Sequence, residues 1–360
     1  MILIIIQNNL IKSNKNNFIL FKKIMETFII PEGYKSETNL HETQVAIKEL
    51  KEIFQQFLSY ELDLLRVSAP IFVDPESGLN DNLNGVERPV DFDIKENKEH
   101  SGEVVQSLAK WKRYALGRYN FEVNTGLYTD MNAIRRDEVT DNIHSIYVDQ
   151  WDWEKIIRKE DRTEETLKTT VEKIYRALKK TEKYMARRFS YIKEIMPDKI
   201  FFITTQELLD MYPNDTPKER EHKICKEKGA VFLMKIGKTL SNGEIHDGRA
   251  PDYDDWELNG DILVYYPLLD IGLEISSMGI RVDEESMVKQ CKIRKCEDRL
   301  KYSFHQDILN KKLPYTIGGG IGQSRICMFF LRKAHIGEIH CSIWPSETEK
   351  IAKEHGIILL

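Results

Sequence analysis

The chain lacks any hydrophobic run long enough to cross a bilayer. Its most apolar opening segment, residues 2–6, is far shorter than the roughly 20 residues that a transmembrane helix needs. Residues 1–24 also lack acidic residues, a basic start and a small-residue cleavage site, so they do not resemble a secretory signal. We expect residues 1–24 to be an extension outside the fold, residues 25–360 to form one domain, and the protein to make no membrane contact. An organelle presequence stays open, because acids are absent, although arginines are absent too.

The chain also has few cysteines and no excess of basic residues. The five cysteines form no C-x-x-C pair, which favours a reduced, intracellular protein over a disulfide scaffold. A zinc site that includes Cys291 and Cys296 is the lesser alternative. The formal net charge is -5 and no block of Lys and Arg stands out, which argues against a nucleic-acid-binding module. We therefore expect small-molecule partners and a cytoplasmic location.

The usual phosphate-binding loops are missing as well, but a related pattern is present. There is no Walker A loop, no Rossmann glycine motif and no Ser-His-Asp arrangement. Instead Gly320, Gly322 and Arg325 form a G-x-G-x-x-R run, followed by the apolar stretch 326–331. Glycine lets the backbone approach a ligand closely, and arginine is a fixed planar cation. This pattern is typical of phosphate handling and favours ATP-dependent acyl activation.

Hydrophobic periodicity predicts an α+β fold with a mainly antiparallel sheet, because strands outnumber crossover helices in the second half. We predict one helix over residues 40–65 and a longer one over 154–189, with a strand followed by a helix over 104–119. The predicted strands cover residues 64–72 (broken by Pro70), 126–134, 143–148, 199–204, 229–236, 261–266 and 273–277.

Two acids interrupt apolar, strand-like segments. If residues 261–277 form a hairpin that turns near Pro267, Asp261 and Glu274 face each other across the sheet. Adjacent carboxylates repel unless a cation lies between them. Mg²⁺ bound to ATP phosphates is a suitable cation, since it accepts one or two carboxylates plus phosphate oxygens. The alternative is that each acid is an edge-strand charge that points at solvent.

Two further segments combine charged and polar groups. The segment 246–256 contains Arg249 and Asp254 and carries both signs of charge, as a zwitterionic amino acid would require. Lys112 lies in the basic run 110–113, which could contact an anion or form a solvated helix face. A solvated loop is the alternative for the first segment.

Candidate residues also lie in the charged loop between the two strands predicted over 126–134 and 143–148, and in the strand-like segment 147–153. Arg135 lies at the start of that loop, within reach of a phosphate. Gln150 and Asp152 alternate along the following strand and therefore project from one face, which suits recognition of an amino group.

Taken together, these segments resemble the ammonia-dependent asparagine synthetase A family, the aspartate–ammonia ligases. The resemblance extends from about Met25 to Trp344-Pro345. It rests on Asp81-Asn82-Leu83 and on residues 106–113, 147–154, 249–256, 258–264, 274–283 and 316–325.

The family is similar in fold to the catalytic core of class II aminoacyl-tRNA synthetases. The resemblance therefore implies a catalytic domain with an antiparallel sheet flanked by helices, and a homodimer. The helix 40–65 resembles the motif 1 dimer element of that class. Arg135 with Asp137 and Glu138 resembles motif 2, and the glycine run that ends at Arg325 resembles motif 3.

The reaction implied by the resemblance converts L-aspartate, ammonia and ATP into L-asparagine, AMP and pyrophosphate through β-aspartyl-AMP. Arg135 would neutralise the α-phosphate, and Arg325 would lie near the adenine and the phosphates, beside Gly320 and Gly322. Asp261 and Glu274 would hold Mg²⁺. Asp81 is a candidate for deprotonating ammonium. The residues expected to orient aspartate are Lys112, Gln150, Asp152, Arg249, Asp254 and Ser277.

The chain departs from the family pattern in two places. Gln106 stands where the family segment begins with histidine, and the chain is shorter between Trp256 and Leu258 than bacterial members. Two other functions remain open. One is an aspartyl-tRNA synthetase-like enzyme, against which there is no recognisable anticodon-binding domain. The other is an inactive relative that binds ATP or aspartate without turnover.

Overall fold

The structure is a computed structural model that describes residues 28–81, 83 and 87–360. The predicted extension 1–24 and the loop residue Asn82 lie outside the described residues. Within the described part, no helix combines the length and apolar character required to cross a membrane.

An eight-stranded sheet forms the centre of the fold. Its strand order is β1-β5-β6-β11-β10-β9-β8-β7, with parallel pairings at the two edges and antiparallel pairings between them. The predicted α+β class with a mainly antiparallel sheet is confirmed. The strands are β1 (Leu64–Arg66), β5 (Gly126–Ile134), β6 (Tyr147–Ile156), β7 (Phe201–Thr204), β8 (Ala230–Met234), β9 (Asp254–Tyr266), β10 (Ile271–Arg281) and β11 (Thr316–Gly322).

A three-stranded sheet and nine described helices surround this sheet. The small sheet has the order β2-β4-β3, from β2 (Phe72–Val73), β3 (Asp91–Asp93) and β4 (Ser101–Val104). The helices are α1 (Leu40–Leu62), α2 (Ala109–Arg118), α3 (Glu164–Arg188), α4 (Thr205–Met211), α5 (Pro217–Lys228), α6 (Glu284–Arg294), α7 (Ser303–Leu309), α8 (Gln323–Leu331) and α9 (Ser346–Glu354).

The largest core lies between one face of the sheet and helices α1, α3 and α8. Leu50 and Phe54 of α1 are completely buried there, beside Val171 of α3. Trp151 and Trp153 of β6 point into the same core. Because side chains alternate along a strand, Gln150 and Asp152 project from the opposite face, where the candidate site lies.

The long helix begins later than predicted. Residues 154–156 belong to strand β6, and α3 begins at Glu164 after Thr163, whose side chain accepts a hydrogen bond from the backbone of Thr166. The prediction was wrong for residues 154–163 because the charges at the end of β6 resemble a helix surface. The second of the two paired strands likewise begins at Tyr147 rather than at residue 143.

The hairpin of β9 and β10 is confirmed, but its predicted register is wrong. Asp261 pairs with Ser277, and Glu274 pairs with Leu263, so the two acids are not directly opposite. The pairing shifts between Glu274 and Ser276, which is a β-bulge. This shift lets Glu274 and Ser277, which are three residues apart, both reach the cavity face of the sheet.

Candidate active site

A cavity of about 410 Å³ opens on the face of the sheet opposite the main core. It is bounded by the ends of β5, β6, β10 and β11 and by the segment 247–250. Every position predicted from the sequence lines it except Asp261, which lies directly behind Arg249. The lining positions are Asp81, Lys112, Arg135, Gln150, Asp152, Arg249, Asp254, Glu274, Ser277, Gly320, Gly322 and Arg325.

The glycines of β11 create the space that the neighbouring polar side chains occupy. Gly320 pairs with Asp152 of β6. A Cβ atom on Gly320 would lie only 2.3 Å from Oε1 of Gln150 and 3.0 Å from Oδ1 of Asp152. A side chain at this position would therefore force the end of Gln150 to move and would crowd Asp152, whereas glycine leaves both in place.

Lys112 reaches the cavity from helix α2. Its Nζ donates to Oδ1 of Asp152 at 2.7 Å and to the carbonyl oxygen of Gly319 at 2.8 Å. Burial lowers the pKa of Lys112, and the Asp152 carboxylate opposes that shift. The other oxygen of Asp152, Oδ2, is buried and has no hydrogen-bond partner among the described residues. The solvated-face alternative for residues 110–113 is wrong, since all four are buried.

Arg249 links the two strands that carry the predicted magnesium ligands. Its guanidinium donates to Ser277 at 2.5 Å and to Oδ1 of Asp261 at 2.6 Å. Burial and the neighbouring carboxylate of Glu274 raise the pKa of Asp261 to about 7 in spite of Arg249. Asp261 is therefore a buried acid whose negative charge is only partly balanced by Arg249. The alternative of an edge-strand charge that points at solvent is wrong for this residue.

Two further cations lie at the other end of the cavity. Nη1 of Arg325 donates to the carbonyl oxygen of Glu274 at 2.9 Å and lies 3.8 Å from its carboxylate. Burial alone would raise the pKa of Glu274, but Arg325, Lys218 and Arg249 hold it below its usual value. Arg135 follows strand β5, and its buried Nε has no partner among the described residues.

Arg281 is a cavity residue to which the sequence analysis gave no role. Its guanidinium donates to Glu154 at 2.8–3.1 Å and also to Asp254. All three side chains are almost completely buried. Asp254, predicted to contact aspartate directly, is thus already paired with an arginine at the end of β10. The only sequence feature that could have pointed to this role is the single arginine at the end of β10.

A second polar group borders the cavity near Asp81. Lys110 forms an ion pair with Asp252 at 2.9 Å, and His305 contacts the same carboxylate at 2.9 Å. Burial raises the pKa of Asp81, while Lys110 opposes that shift. Gln106, Asp81 and Tyr253 all line the cavity here. Of these residues, the sequence analysis assigned a role only to Asp81.

The described residues contain no group of three or more His, Cys, Asp or Glu side chains arranged to hold a metal ion. The five cysteines are free, and Sγ of Cys296 donates to the backbone carbonyl of Cys291. The zinc alternative therefore has no support in the described part of the chain. Any ion between Asp261 and Glu274 would need ligands from a bound molecule.

The cavity thus combines several cations with acceptor atoms that have no donor among the described residues. Such an arrangement can bind a polyanion beside a zwitterion. Comparison with known proteins identifies the family. The family model described as aspartate-ammonia ligase matches residues 41–356.

The chain belongs to the aspartate–ammonia ligase family.

Curated aspartate–ammonia ligases are similar to it over nearly their whole length. The protein of Clostridium tetani is 62% identical over 338 residues, which are 94% of this chain and 99% of the relative. The protein of Fusobacterium nucleatum is 64% identical over 328 residues, which are 91% of this chain and 100% of the relative. The recognition of the aspartate–ammonia ligase family from its sequence segments is confirmed.

Solved structures with a similar fold are class II aminoacyl-tRNA synthetases. The asparaginyl-tRNA synthetase of Entamoeba histolytica, in complex with asparaginyl-adenylate, matches with a TM-score of 0.58 and 13% identity, covering 84% of this chain and 66% of that protein. The Pyrococcus horikoshii enzyme with the same adenylate also has a TM-score of 0.58, with 15% identity, covering 84% of this chain and 70% of that protein. At such low identity these matches establish the fold alone, which confirms the class II fold expected for a ligase of this family.

Proposed function

We propose that this protein catalyses the ATP-dependent amidation of L-aspartate by ammonia. The products are L-asparagine, AMP and pyrophosphate, and the intermediate is β-aspartyl-AMP. Membership of the aspartate–ammonia ligase family supports the reaction. The observation that carries it in the structure is the single cavity that brings Arg135 and Arg325 together with Lys112, Asp152 and Arg249.

In the first step an oxygen of the β-carboxylate of aspartate attacks the α-phosphorus of ATP. A new O–P bond forms, and pyrophosphate leaves with the electron pair of the broken P–O bond. Catalysis of such a transfer depends mainly on positioning and on neutralising charge. Arg135 is suited to the α-phosphate because its buried Nε lacks a partner among the described residues. Arg325, which follows Gly320 and Gly322, would lie beside the adenine and the phosphates.

Aspartate would be held by the groups around β6 and β10. The free Oδ2 of Asp152 is an acceptor for the α-amino group, and Gln150 adds a polar group on the same face. Lys112 and Arg249 supply positive charge for the carboxylates. Ser277 and Asp254 would act through the arginines that they contact, since Ser277 accepts from Arg249 and Asp254 from Arg281.

Asp261 and Glu274 are the proposed ligands of ATP-bound Mg²⁺, and of the two only Glu274 lines the cavity. The carboxylate of Asp261 is buried, and burial, with the nearby negative charge of Glu274, raises its pKa, so that an added cation would be favourable there. Mg²⁺ commonly takes only one or two protein carboxylates and completes its shell with phosphate oxygens and water. When bound, it would neutralise phosphate charge, while Arg249 and Arg325 orient the two acids from either side.

In the second step ammonia attacks the β-carbonyl carbon of the adenylate, and AMP leaves. Ammonium must lose a proton before its nitrogen becomes a nucleophile. Asp81 is proposed as the base, because it is a buried carboxylate that lines the cavity. Burial raises its pKa, which makes it a better proton acceptor than an exposed aspartate.

The same proposal includes a cytoplasmic homodimer with one catalytic domain over residues 25–360 and no nucleic-acid partner. The homodimer follows from the resemblance of helix α1 to the motif 1 dimer element, and three apolar side chains on or shortly after that helix are exposed. Tyr60 of α1, Leu65 of β1 and Phe72 of β2 are respectively 81%, 63% and 45% exposed. Reduced cysteines suit the cytoplasm.

The test is formation of AMP and asparagine from aspartate, ATP, Mg²⁺ and ammonium by the purified protein. We expect equal amounts of both products, with activity lost in Glu274→Ala. Glu172→Ala, an exposed change on α3, is the matched control and should retain full activity. ATP binding without AMP formation in the unsubstituted protein would contradict the proposal and favour an inactive relative. Charging of tRNA would favour the synthetase alternative.

A further inference from the structure

Gln106 places an unused hydrogen-bond acceptor in the cavity wall. The residue is completely buried, just before helix α2. Its Nε2 donates to the backbone carbonyl of Asp81 at 3.1 Å. That contact fixes the orientation of the side-chain amide, because a flipped amide would set two oxygens against each other. Oε1 therefore faces away from that carbonyl, and it has no hydrogen-bond partner among the described residues.

Asp81 places a second unused acceptor in the wall of the same cavity. Its Oδ1 accepts from the backbone N–H of Leu83 at 2.9 Å, whereas its buried Oδ2 has no hydrogen-bond partner among the described residues. Asn80 joins the two residues, since its Oδ1 accepts from the backbone N–H of Gln106 at 2.9 Å and of Asp81 at 3.0 Å. The two acceptors are thus held by one rigid set of hydrogen bonds.

The nearest cation is already engaged elsewhere. Lys110 donates to the backbone carbonyl of Asn80 at 3.0 Å and pairs with the fully buried Asp252 at 2.9 Å. Its charge is therefore balanced by Asp252 rather than by a direct ion pair with Asp81. Tyr253 is the other polar neighbour of Asp81, and its hydroxyl favours the charged carboxylate. When it is ionised, the carboxylate of Asp81 can therefore pair with a cationic ligand.

Buried acceptors without donors are costly, and in native proteins they commonly mark a site for a ligand or an ion. The ligand that suits two oxygen acceptors, one of them charged, is a small cation rich in N–H donors and without acceptors. We propose that Oε1 of Gln106 and Oδ2 of Asp81 together form the ammonium-binding site. This inference rests on the proposed function and adds Gln106 to it as a substrate-binding residue.

Atoms and charges balance in the step that follows. One proton moves from ammonium to Oδ2 of Asp81, which frees the nitrogen lone pair. The lone pair forms the C–N bond to the β-carbonyl carbon of the adenylate. The C–O bond to AMP then breaks, and its electron pair stays on the phosphate oxygen. A second proton leaves the nitrogen for water as the amide forms, while Gln106 holds the nitrogen through its remaining N–H groups.

The experiment replaces Gln106 by methionine, which is similar in length and lacks the amide oxygen. We expect the KM for ammonium to rise by roughly 10-fold or more in Gln106→Met, because a hydrogen bond to a charged group is lost. The KM values for ATP and aspartate should stay within about 2-fold of the unsubstituted protein. Gln44→Met, an exposed change on α1, is the control. An unchanged KM for ammonium, or an equal change in all three KM values, would overturn the inference.

A second variant keeps the test decisive if Gln106→Met fails to fold. Gln106→His introduces the residue that the family segment carries here, and neutral imidazole can accept a hydrogen bond whereas imidazolium cannot. The KM for ammonium of Gln106→His should therefore rise, relative to the unsubstituted protein, as pH falls from 8 to about 6. Parallel profiles for the two proteins would count against the site.

Aspartate-dependent exchange of pyrophosphate into ATP, measured without ammonium, separates this inference from the proposed function. If the unsubstituted protein exchanges pyrophosphate and Gln106→Met has a normal KM for ammonium, only the ammonium site is wrong. If the unsubstituted protein neither exchanges pyrophosphate nor forms asparagine, the proposed function fails first, and the ammonium site fails with it.

Discussion

Two arginines that line the same cavity differ in how fully their guanidinium groups are paired. Arg281 donates to Glu154 and Asp254, and each of the three residues is at most 2% exposed. Arg135 keeps a buried Nε with no partner among the described residues. A saturated buried cation is held by the fold and leaves few donors free for a ligand. An unsaturated one is poised to bind an anion, so pairing separates supporting residues from binding residues.

The paired arginine connects three strands. Arg281 lies at the end of β10, Asp254 begins β9, and Glu154 lies on β6, on the far side of β11. Glu154 also accepts from the hydroxyl of Thr316 at 2.7 Å, beneath Gly318 of β11. Removing the cation would leave two buried carboxylates uncompensated within one sheet.

The largest effect that we expect is therefore on stability. Arg281→Met should lower the free energy of unfolding by about 3–5 kcal/mol, because breaking a buried ion pair leaves uncompensated charge. Urea unfolding followed by circular dichroism measures this loss. Arg187→Met, an exposed change on α3, is the control. A stability equal to that of the control would remove the distinction between the two arginines.

Arg135 should show the opposite behaviour. Arg135→Met is expected to reduce kcat by roughly 10²–10³-fold, as is usual when one preorganised donor to a transition state is lost. Its free energy of unfolding should change by less than about 0.5 kcal/mol. The adjacent, exposed Arg136→Met is a closely matched control and should leave kcat unchanged. Steady-state kinetics and urea unfolding on the same samples measure both quantities. A large loss of stability in Arg135→Met would mean that Arg135 supports the fold, as Arg281 does.

A buried histidine allows a further test, in which the dependence of stability on pH is measured. His335 packs between Phe28 and Trp344 with ring centroids 5.1 and 4.7 Å away, and burial lowers its pKa to about 4. Because the folded-state pKa lies below the unfolded value of about 6.5, the contribution of His335 is complete above pH 6.5 and is lost as pH falls towards 4.

We expect this histidine to account for at most roughly 3 kcal/mol of acid destabilisation. The free energy of unfolding, measured between pH 7 and pH 4.5, should depend less steeply on pH in His335→Gln than in the unsubstituted protein. His355→Gln, at the exposed end of α9, should leave the slope unaltered. Identical slopes in all three proteins would mean that His335 does not carry the effect.

Local patterns predicted most of the sheet and the first helix. The spacing of Ile47, Leu50, Phe54 and Leu58 predicted α1, and alternation along β6 placed Gln150 and Asp152 on one face, as observed. The sequence could not give the register of the β9–β10 hairpin, since a bulge near Glu274 shifts it.

The sequence also could not predict contacts between residues that are far apart in the chain. Arg281 meets Glu154 across 127 residues of sequence, and no local pattern links the two positions. The basic run 110–113 resembles a surface because its buried partners, such as Asp252, lie elsewhere in the chain. Roles of individual site residues stay predictions until the variants are measured.

The glycines of strand β11 contribute cavity volume rather than functional side chains. Its glycines present bare backbone to the cavity, and the carbonyl of Gly319 is the part that reaches Lys112. A methyl group added at Gly320 would subtract cavity volume and crowd Gln150 and Asp152, and one added at Gly318 would collide with Glu154. The volume available to a ligand therefore depends on the absence of side chains at the cavity-facing glycines of this strand.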